Sequence, residues 1–486
     1  MENLWKQFEG ICSVPHPSGH LDALREHIKN VALSNGLEPE CDEEGNVLVR
    51  IPATPGKENV PCVILEAHMD MVPQCNADKI HDFTKDPIKT HIVKKGENSE
   101  YPDVELVMAD GTTLGADNGI GASAMLALLC DKNVAHGPIE CLFTVDEETG
   151  MSGVNNLRED WLKGKYLFNL DTEAEGELMI GCAGGVNMDA SFKYKSDAVI
   201  PEGDVAIEIK LGGLLGGHSG MDIHLGRGNA IKLMVRFLKH AIVNFEVRIA
   251  EIHGGSLRNA IPRECTAVVT VPSDVADELL DEVAYYDELF RFELRGIDEG
   301  VKFEATPTKL PAALVPEEIQ DDIINSVEAC FDGVFRMSPD MPEVVETSSN
   351  LALLDTDAQE THVLLLVRSM NEEMKRYLAS TIQSVFILGG ARVDFSAAYP
   401  GWELSQESPL LAKALSVYKE TFGKDMKVNS VHCGLECGII GSHYPALDII
   451  SFGPTIHHPH SPQESVEVAS VERFWTYLTT LLSSIE

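Results

Sequence analysis

Residues 60–68, VPCVILEAH, form a short, nearly continuous apolar run, the pattern of a β-strand covered on both faces. The same texture recurs in IECLFTV (139–145), in GKYLFNLD (164–171) and, late in the chain, in ALDIISFG (446–453). Between these runs the period changes. LDALREHIKNVALSNG (21–36) places apolar residues at helical spacing and ends on Gly, whereas GIGASAMLALLCD (119–131) is apolar on almost every side, as a buried helix should be. Strand and helix patterns alternating over residues 1–185 predict an α/β unit with a mostly parallel sheet. Folds of that kind place ligands at strand ends.

From residue 186 the texture shifts to longer alternating strands, VAIEIKLGGLLGG and ECTAVVTVPS, interleaved with the helical patterns GNAIKLMVRFLKHA and DELLDEVAYYDELFRFEL. Helix and strand resume in YPGWELSQESPLLAKALSVYKETFG. The economical division is one domain made of 1–185 and 399–486, with an α+β domain, 186–398, inserted into a surface loop. With 486 residues, 44% of them hydrophobic, the chain is long enough for two cores. No repeat at a fixed period and no low-complexity tract is present in the sequence.

Charge narrows the range of partners. There are 77 Asp and Glu against 38 Lys and Arg, a formal net charge of −39, and the acids are spread along the chain. Nucleic acid and anionic membranes would be repelled. The start, MENLWKQFEGICSVPHPSG, has neither a basic nor a continuous apolar region, so a cytoplasmic protein is expected. Eleven cysteines without a CxxC pair suit reduced, mostly buried thiols. Cys433 and Cys437 lack the second pair a zinc finger needs and read as structural.

Four stretches following apolar runs carry candidate chemistry. In ILEAHMDMVPQ, His68 and Asp70 stand two apart, so continued strand geometry points both to one side. A carboxylate beside an imidazole fixes its tautomer, as the partners of metal-bound histidines do. The pair alone fits a hydrogen-bonded strand-end histidine equally well. In GTTLGADNGIGAS, Asp117 opens the apolar helix, either as its cap or as a ligand. That loop lacks the Lys of a phosphate loop and the spacing of a dinucleotide fingerprint. FNLDTE supplies Asp171, and ISFGPTIHHPHSPQESVEV supplies His457, His458 and His460.

VDEETG ends a buried strand with three acids, Asp146, Glu147 and Glu148. One unpaired buried charge costs about several kcal/mol, so something positive is needed nearby. Histidines and carboxylates converging on strand ends suit Zn²⁺, Mn²⁺ or Co²⁺. A regular strand sends neighbouring side chains to opposite faces, so aiming both Glu147 and Glu148 at one centre requires the backbone to leave strand geometry. Asp146 is expected to make a turn or capping contact. No GxSxG and no defensible Cys–His nucleophile is present.

Together HMDMVPQ, GTTLGADNGIG, DEETGMSG, NLDTE, GGHSGMDIHLGRGNA, GGSLRNAIPRE and GPTIHHPHSP resemble, in order and over essentially the whole chain, the two-zinc peptidase family of carnosinases, aminoacylases and deacylases. They are most similar to its aminoacyl-histidine dipeptidase branch. The resemblance implies two Zn²⁺ per subunit, with Mn²⁺ or Co²⁺ as substitutes. It implies that His68 and Asp171 hold one metal, that Glu148 and His460 hold the other, that Asp117 bridges them and that Asp70 steadies His68. His457 and His458 are extra histidines here, and His458 rivals His460. Three carboxylates against two divalent cations leave one positive charge, which a bridging hydroxide would neutralise. Glu147 is then free to be the general base for water attack, with no covalent enzyme intermediate.

In the inserted domain the resemblance makes His218 the support of the oxyanion, supplied by lid closure or from across a dimer, and makes Asn259 a substrate contact. Arg368 is a candidate for the substrate's carboxylate, with a surface ion pair as the alternative. Glu436 is a candidate for its free amine. The long lid fits a cavity that admits dipeptides and excludes longer peptides. The implied function is dipeptide hydrolysis, of Xaa-His or more broadly, by a homodimer. Deacylation of N-acyl amino acids and a catalytically silent metal-binding protein are the alternatives.

Overall fold

The computed structural model describes residues 1–197, 199–403 and 407–486. It contains two compact units, Met1–Gly181 with Leu404–Ser430 and Leu435–Glu486, and Cys182–Glu403 with Val431–Gly434. Each has its own apolar core. Among the described residues no helix is long and apolar enough to cross a membrane, and no disulfide is formed.

The first unit is built on an eight-stranded sheet in the order Pro39–Cys41, Val47–Ile51, Ile139–Thr144, Val63–His68, Tyr166–Asn169, Asp448–Ser451, Glu177–Cys182, Lys427–Val431. From Ile139–Thr144 to Asp448–Ser451 neighbouring strands run parallel. Outside them the pairs Pro39–Cys41 with Val47–Ile51, and Val47–Ile51 with Ile139–Thr144, are antiparallel. Every residue of Val63–His68 and of Ile139–Thr144 is buried, which accounts for their mostly apolar sequences. The helix Ala116–Cys130 is buried from Ala116 to Leu129, as expected of a helix apolar on almost every side beyond its first turn. In contrast, Asp22–Ser34 buries only the stripe of Leu24, Ile28 and Ala32.

The parallel register brings chemistry to one sheet edge. His68 lies beside Thr144, and Glu66 beside Asn169, so the residues after these strands emerge together. A separate four-stranded sheet pairs Ile456–His457 with Ser465–Glu467, and the latter with Leu106–Ala109. The segment between its first two strands carries His460.

The second unit contains a nine-stranded sheet with an internal duplication. One half runs Asp204–Gly212, helix Ala230–Phe245, Arg248–Gly255, Cys265–Pro272, helix Ala276–Glu293, Lys302–Thr308. The other runs Gly184–Lys193, helix Glu317–Ala329, Val345–Thr356, Glu360–Ser369, helix Glu372–Leu388, Arg392–Tyr399. Both are β-α-β-β-α-β units with the same strand order in their part of the sheet. The first half is nested between the first strand and first helix of the second. Antiparallel pairing of His253 with Asp355 and of Gly255 with Leu353 joins them.

Candidate active site

His68 is the last residue of its strand and 1% exposed. Its Nδ1 lies 2.9 Å from the main-chain oxygen of Asp70, which can only accept, so Nδ1 carries the hydrogen. The Nε2 lone pair then faces Asp117 Oδ1 at 3.0 Å and Asp171 Oδ1 at 3.3 Å. Three acceptors converging in a buried space need a proton or a metal cation between them. Burial opposes charge on His68, but Asp171, Asp117 and Asp70 outweigh it and hold the imidazole well above its ordinary range.

Asp117 presents its other oxygen, Oδ2, to His460 Nε2 at 3.1 Å, and Glu148 Oε1 approaches the same nitrogen at 3.0 Å. Asp117 is thus shared by a His68–Asp171 group and a His460–Glu148 group. Glu148 Oε1 and Asp171 Oδ1 are buried without a hydrogen-bond partner in acceptable geometry. Donor atoms of His68, Asp117 and Glu148 lie within 4.8 Å of one another. Orphaned carboxylate oxygens and inward-facing imidazoles form a donor set that fits divalent cations. His460 is pushed up to about 11 by the adjoining Asp117 and Glu148 carboxylates, the same demand for positive charge. His458 is turned instead to Glu100, at 3.0 Å, and His457 to Glu467, at 2.9 Å, with its ring stacked on Tyr101.

The three acids of VDEETG have separate surroundings. Asp146 has φ 56°, and Glu147–Gly150 form a helical turn, so the backbone leaves strand geometry just before the two positions that need it. Asp146 accepts the Gly19 N–H at 2.8 Å, the contact that fixes this exit. Asp70 does more than face His68: its oxygens accept the N–H groups of Glu147 at 3.0 Å and Glu148 at 3.2 Å, and a bond from Ser18 Oγ at 2.7 Å. Burial raises Glu147 well above the carboxylate range. His68 opposes the shift, and Asp171, Glu148 and Asp117 add to it.

Two acids close to this cluster had no assigned role in the sequence, although both lie in quoted motifs. Glu173, of NLDTE, is pushed up to about 9 by burial and by the neighbouring Asp117 and Asp171. Glu464, of SPQES, is 2% exposed and accepts main-chain N–H groups from the Asp117 loop. Asp117 itself makes no capping bond to its helix.

Glu436, the candidate for a substrate's amine, is 1% exposed, with Oε2 accepting from Thr144 Oγ1 at 2.7 Å, and burial with the nearby Glu66 raises it well above its ordinary range.

Gly453 packs its α-carbon against the chain just after Asp171. An added Cβ would lie 1.9 Å from the Thr172 carbonyl oxygen. Gly453→Ala therefore forces main chain apart beside a candidate ligand, and a loss of about 1–3 kcal/mol or more is expected in denaturant unfolding.

In the second unit, antiparallel pairing sets His218 opposite Ala260, next to Asn259. His218 Nδ1 accepts from the N–H groups of Gly220 at 3.2 Å and Met221 at 3.0 Å, which leaves its hydrogen on Nε2. Burial and then Arg368 push it down to about 4, so it is neutral near pH 7. The exposed Asn259 accepts the Ser219 N–H through its main-chain oxygen at 2.8 Å. Arg368 is 5% exposed, not a surface group, and donates to Tyr399 Oη at 2.8 Å and Ser219 Oγ at 3.4 Å.

Residues 64–484 match peptidase family M20/M25/M40. Over 482 residues the chain is 42% identical to the cytosol non-specific dipeptidase of Escherichia coli (strain K12), covering 99% of this chain and 97% of that one. The crystal structure of aminoacylhistidine dipeptidase from Vibrio alginolyticus superposes with a TM-score of 0.89 at 43% identity, covering 100% of this chain and 96% of that one. Aminopeptidase PepT from Bacillus cereus ATCC 10987 shares the fold, with a TM-score of 0.57 at 15% identity over 100% of this chain and 98% of its own.

Proposed function

Because the chain belongs to peptidase family M20/M25/M40, we propose that it is a metal-dependent dipeptidase, acting on Xaa-His or on a broader range of dipeptides. The observation that carries the reading is Asp117, whose two carboxylate oxygens face two different histidines, His68 and His460. That arrangement supports a pair of divalent cations, one held by His68 and Asp171, the other by Glu148 and His460, with Asp117 shared. Zn²⁺ suits these donors, and Mn²⁺ or Co²⁺ can fill the same set. Bound there, such ions polarise the scissile carbonyl and make water acidic enough to be activated near neutral pH.

The remaining steps belong to this chain's side chains. Glu147 stands outside the His68, Asp117 and Glu148 donor cluster and takes the proton of the attacking water. It then returns that proton to the departing amine. Neutral His218, with its hydrogen on Nε2, donates to the carbonyl oxygen as negative charge develops. Arg368, already held by Tyr399, receives the substrate's carboxylate, and Asn259 adds a contact on the same unit. In this reading 186–398 serves as a lid that limits substrate length, and Glu436 is the candidate for the substrate's free amine.

A cytoplasmic enzyme is supported by the name of the Escherichia coli relative, which is a cytosol dipeptidase. A homodimer is supported by the resemblance alone. The test is metal analysis with a panel of carnosine-like dipeptides, other dipeptides, tripeptides and N-acetyl amino acids, before and after chelation. Dipeptide hydrolysis that disappears with the metal is expected. Activity confined to N-acetyl amino acids would make it a deacylase, and metal binding without hydrolysis a silent protein.

A further inference from the structure

Glu464 closes the loop that carries His460, yet its carboxylate serves the loop that carries Asp117. Oε2 accepts the N–H groups of Leu114 at 2.8 Å and Gly115 at 3.1 Å, and Oε1 those of Ala116 at 2.7 Å and Asp117 at 3.4 Å. These amides open the helix Ala116–Cys130, where N–H groups lack partners within the helix. Bonds from amides to an ionised carboxylate are about twice as strong as neutral ones. The link from Glu464 back to His460 is short and internally tied. Glu464 N–H bonds to the Ser461 carbonyl at 3.0 Å, and Ser461 Oγ donates to the His458 carbonyl at 2.8 Å.

We propose that Glu464 is a positioning residue that clamps the Asp117 loop to the His460 loop and so sets the spacing at which these two side chains hold metal. The proposal rests on the reading of Asp117 and His460 as ligands. A chain spanning 347 residues between Asp117 and Glu464 has no local means of fixing that spacing. One buried carboxylate supplies it, in the way that Asp70 holds the turn of Glu147 and Glu148. A Gln at 464 keeps the shape but turns an NH₂ group toward N–H donors, so at least one oxygen's share of the clamp is lost.

The test uses the full chain stripped of metal and titrated with Zn²⁺ alone against a chromogenic chelator. Glu464→Gln is expected to weaken Zn²⁺ binding by about 10- to 100-fold. Activity at saturating Zn²⁺ should recover with KM unchanged, and Glu467→Gln, which removes the partner of His457, should bind as the wild type does. Zn²⁺ affinity equal to wild type, with only the melting temperature of the metal-free protein lowered, would show a helix cap and nothing more, and would overturn the proposal. If wild type itself binds no Zn²⁺, the metal reading fails instead. Should Glu464→Gln not fold, Glu464→Asp carries the same test, because it keeps the charge but is one methylene too short to span all four amides.

Discussion

Glu147→Gln is expected to keep the metal content of the wild type and to lower kcat by about 10²- to 10⁴-fold, the usual contribution of a general base. The substitution preserves size and hydrogen bonding while removing the proton acceptor. The main-chain N–H of Glu147 stays bonded to Asp70, so the turn that also aims Glu148 should persist. A deficit confined to kcat, with KM for a dipeptide little altered, identifies an interaction made only in the transition state. Metal analysis and steady-state kinetics on one preparation decide it. Full activity in a variant that retains its metals would remove Glu147 from the mechanism.

Removing the metals should abolish hydrolysis and leave a protein whose stability falls as pH rises. Asp171 is pushed up to about 7 by burial, with His68 opposing and Asp117 adding to the shift, and Glu173 is pushed up to about 9 by burial with Asp117 and Asp171. In the unfolded chain such acids titrate near about 4, so from there to their folded values the native state holds the extra protons. His460, pushed up to about 11, acts with the same sign from about 6.5 upward. The stability these groups lend at low pH is therefore lost from about pH 4 upward, group by group, and is still falling between pH 6 and pH 9. Asp70 and Asp117 are lowered, and what they contribute is lost only in acid, outside this window. Metal binding displaces the same protons and reverses the trend. At a thousandfold excess over Kd, metal adds about 4 kcal/mol. Calorimetry at pH 6 and pH 9 should show the gap between loaded and stripped melting temperatures widening. A stripped protein that becomes more stable toward pH 9 would contradict this charge arrangement.

Much of the site was legible because strand ends advertise themselves. Short, nearly continuous apolar runs are the pattern of strands covered on both faces, so the polar residues that follow, His68, Asp171 and the acids after Thr144, emerge together if the strands are parallel. The choice between His458 and His460 was not legible. Both have positive φ in one cramped loop, and only the place of Glu100 and Asp117 in space separates them. The burial of Glu436 against Thr144 and Glu66 was not legible either.

The duplication in the second unit was also invisible to the sequence. A β-α-β-β-α-β unit needs only a binary pattern of apolar and polar positions, which many sequences satisfy, and nesting one copy inside the other destroys any fixed period.

The sequence by itself determined the α/β class and the segments that end in candidate chemistry, because periodicity and residue type are local properties. Tertiary structure alone decided that Asp117 faces two histidines and that Asp146 turns the chain so that Glu147 and Glu148 leave the strand. It also decided that Glu464 grips a loop 347 residues away. Those are distances between groups far apart in the chain, and a local pattern does not specify them.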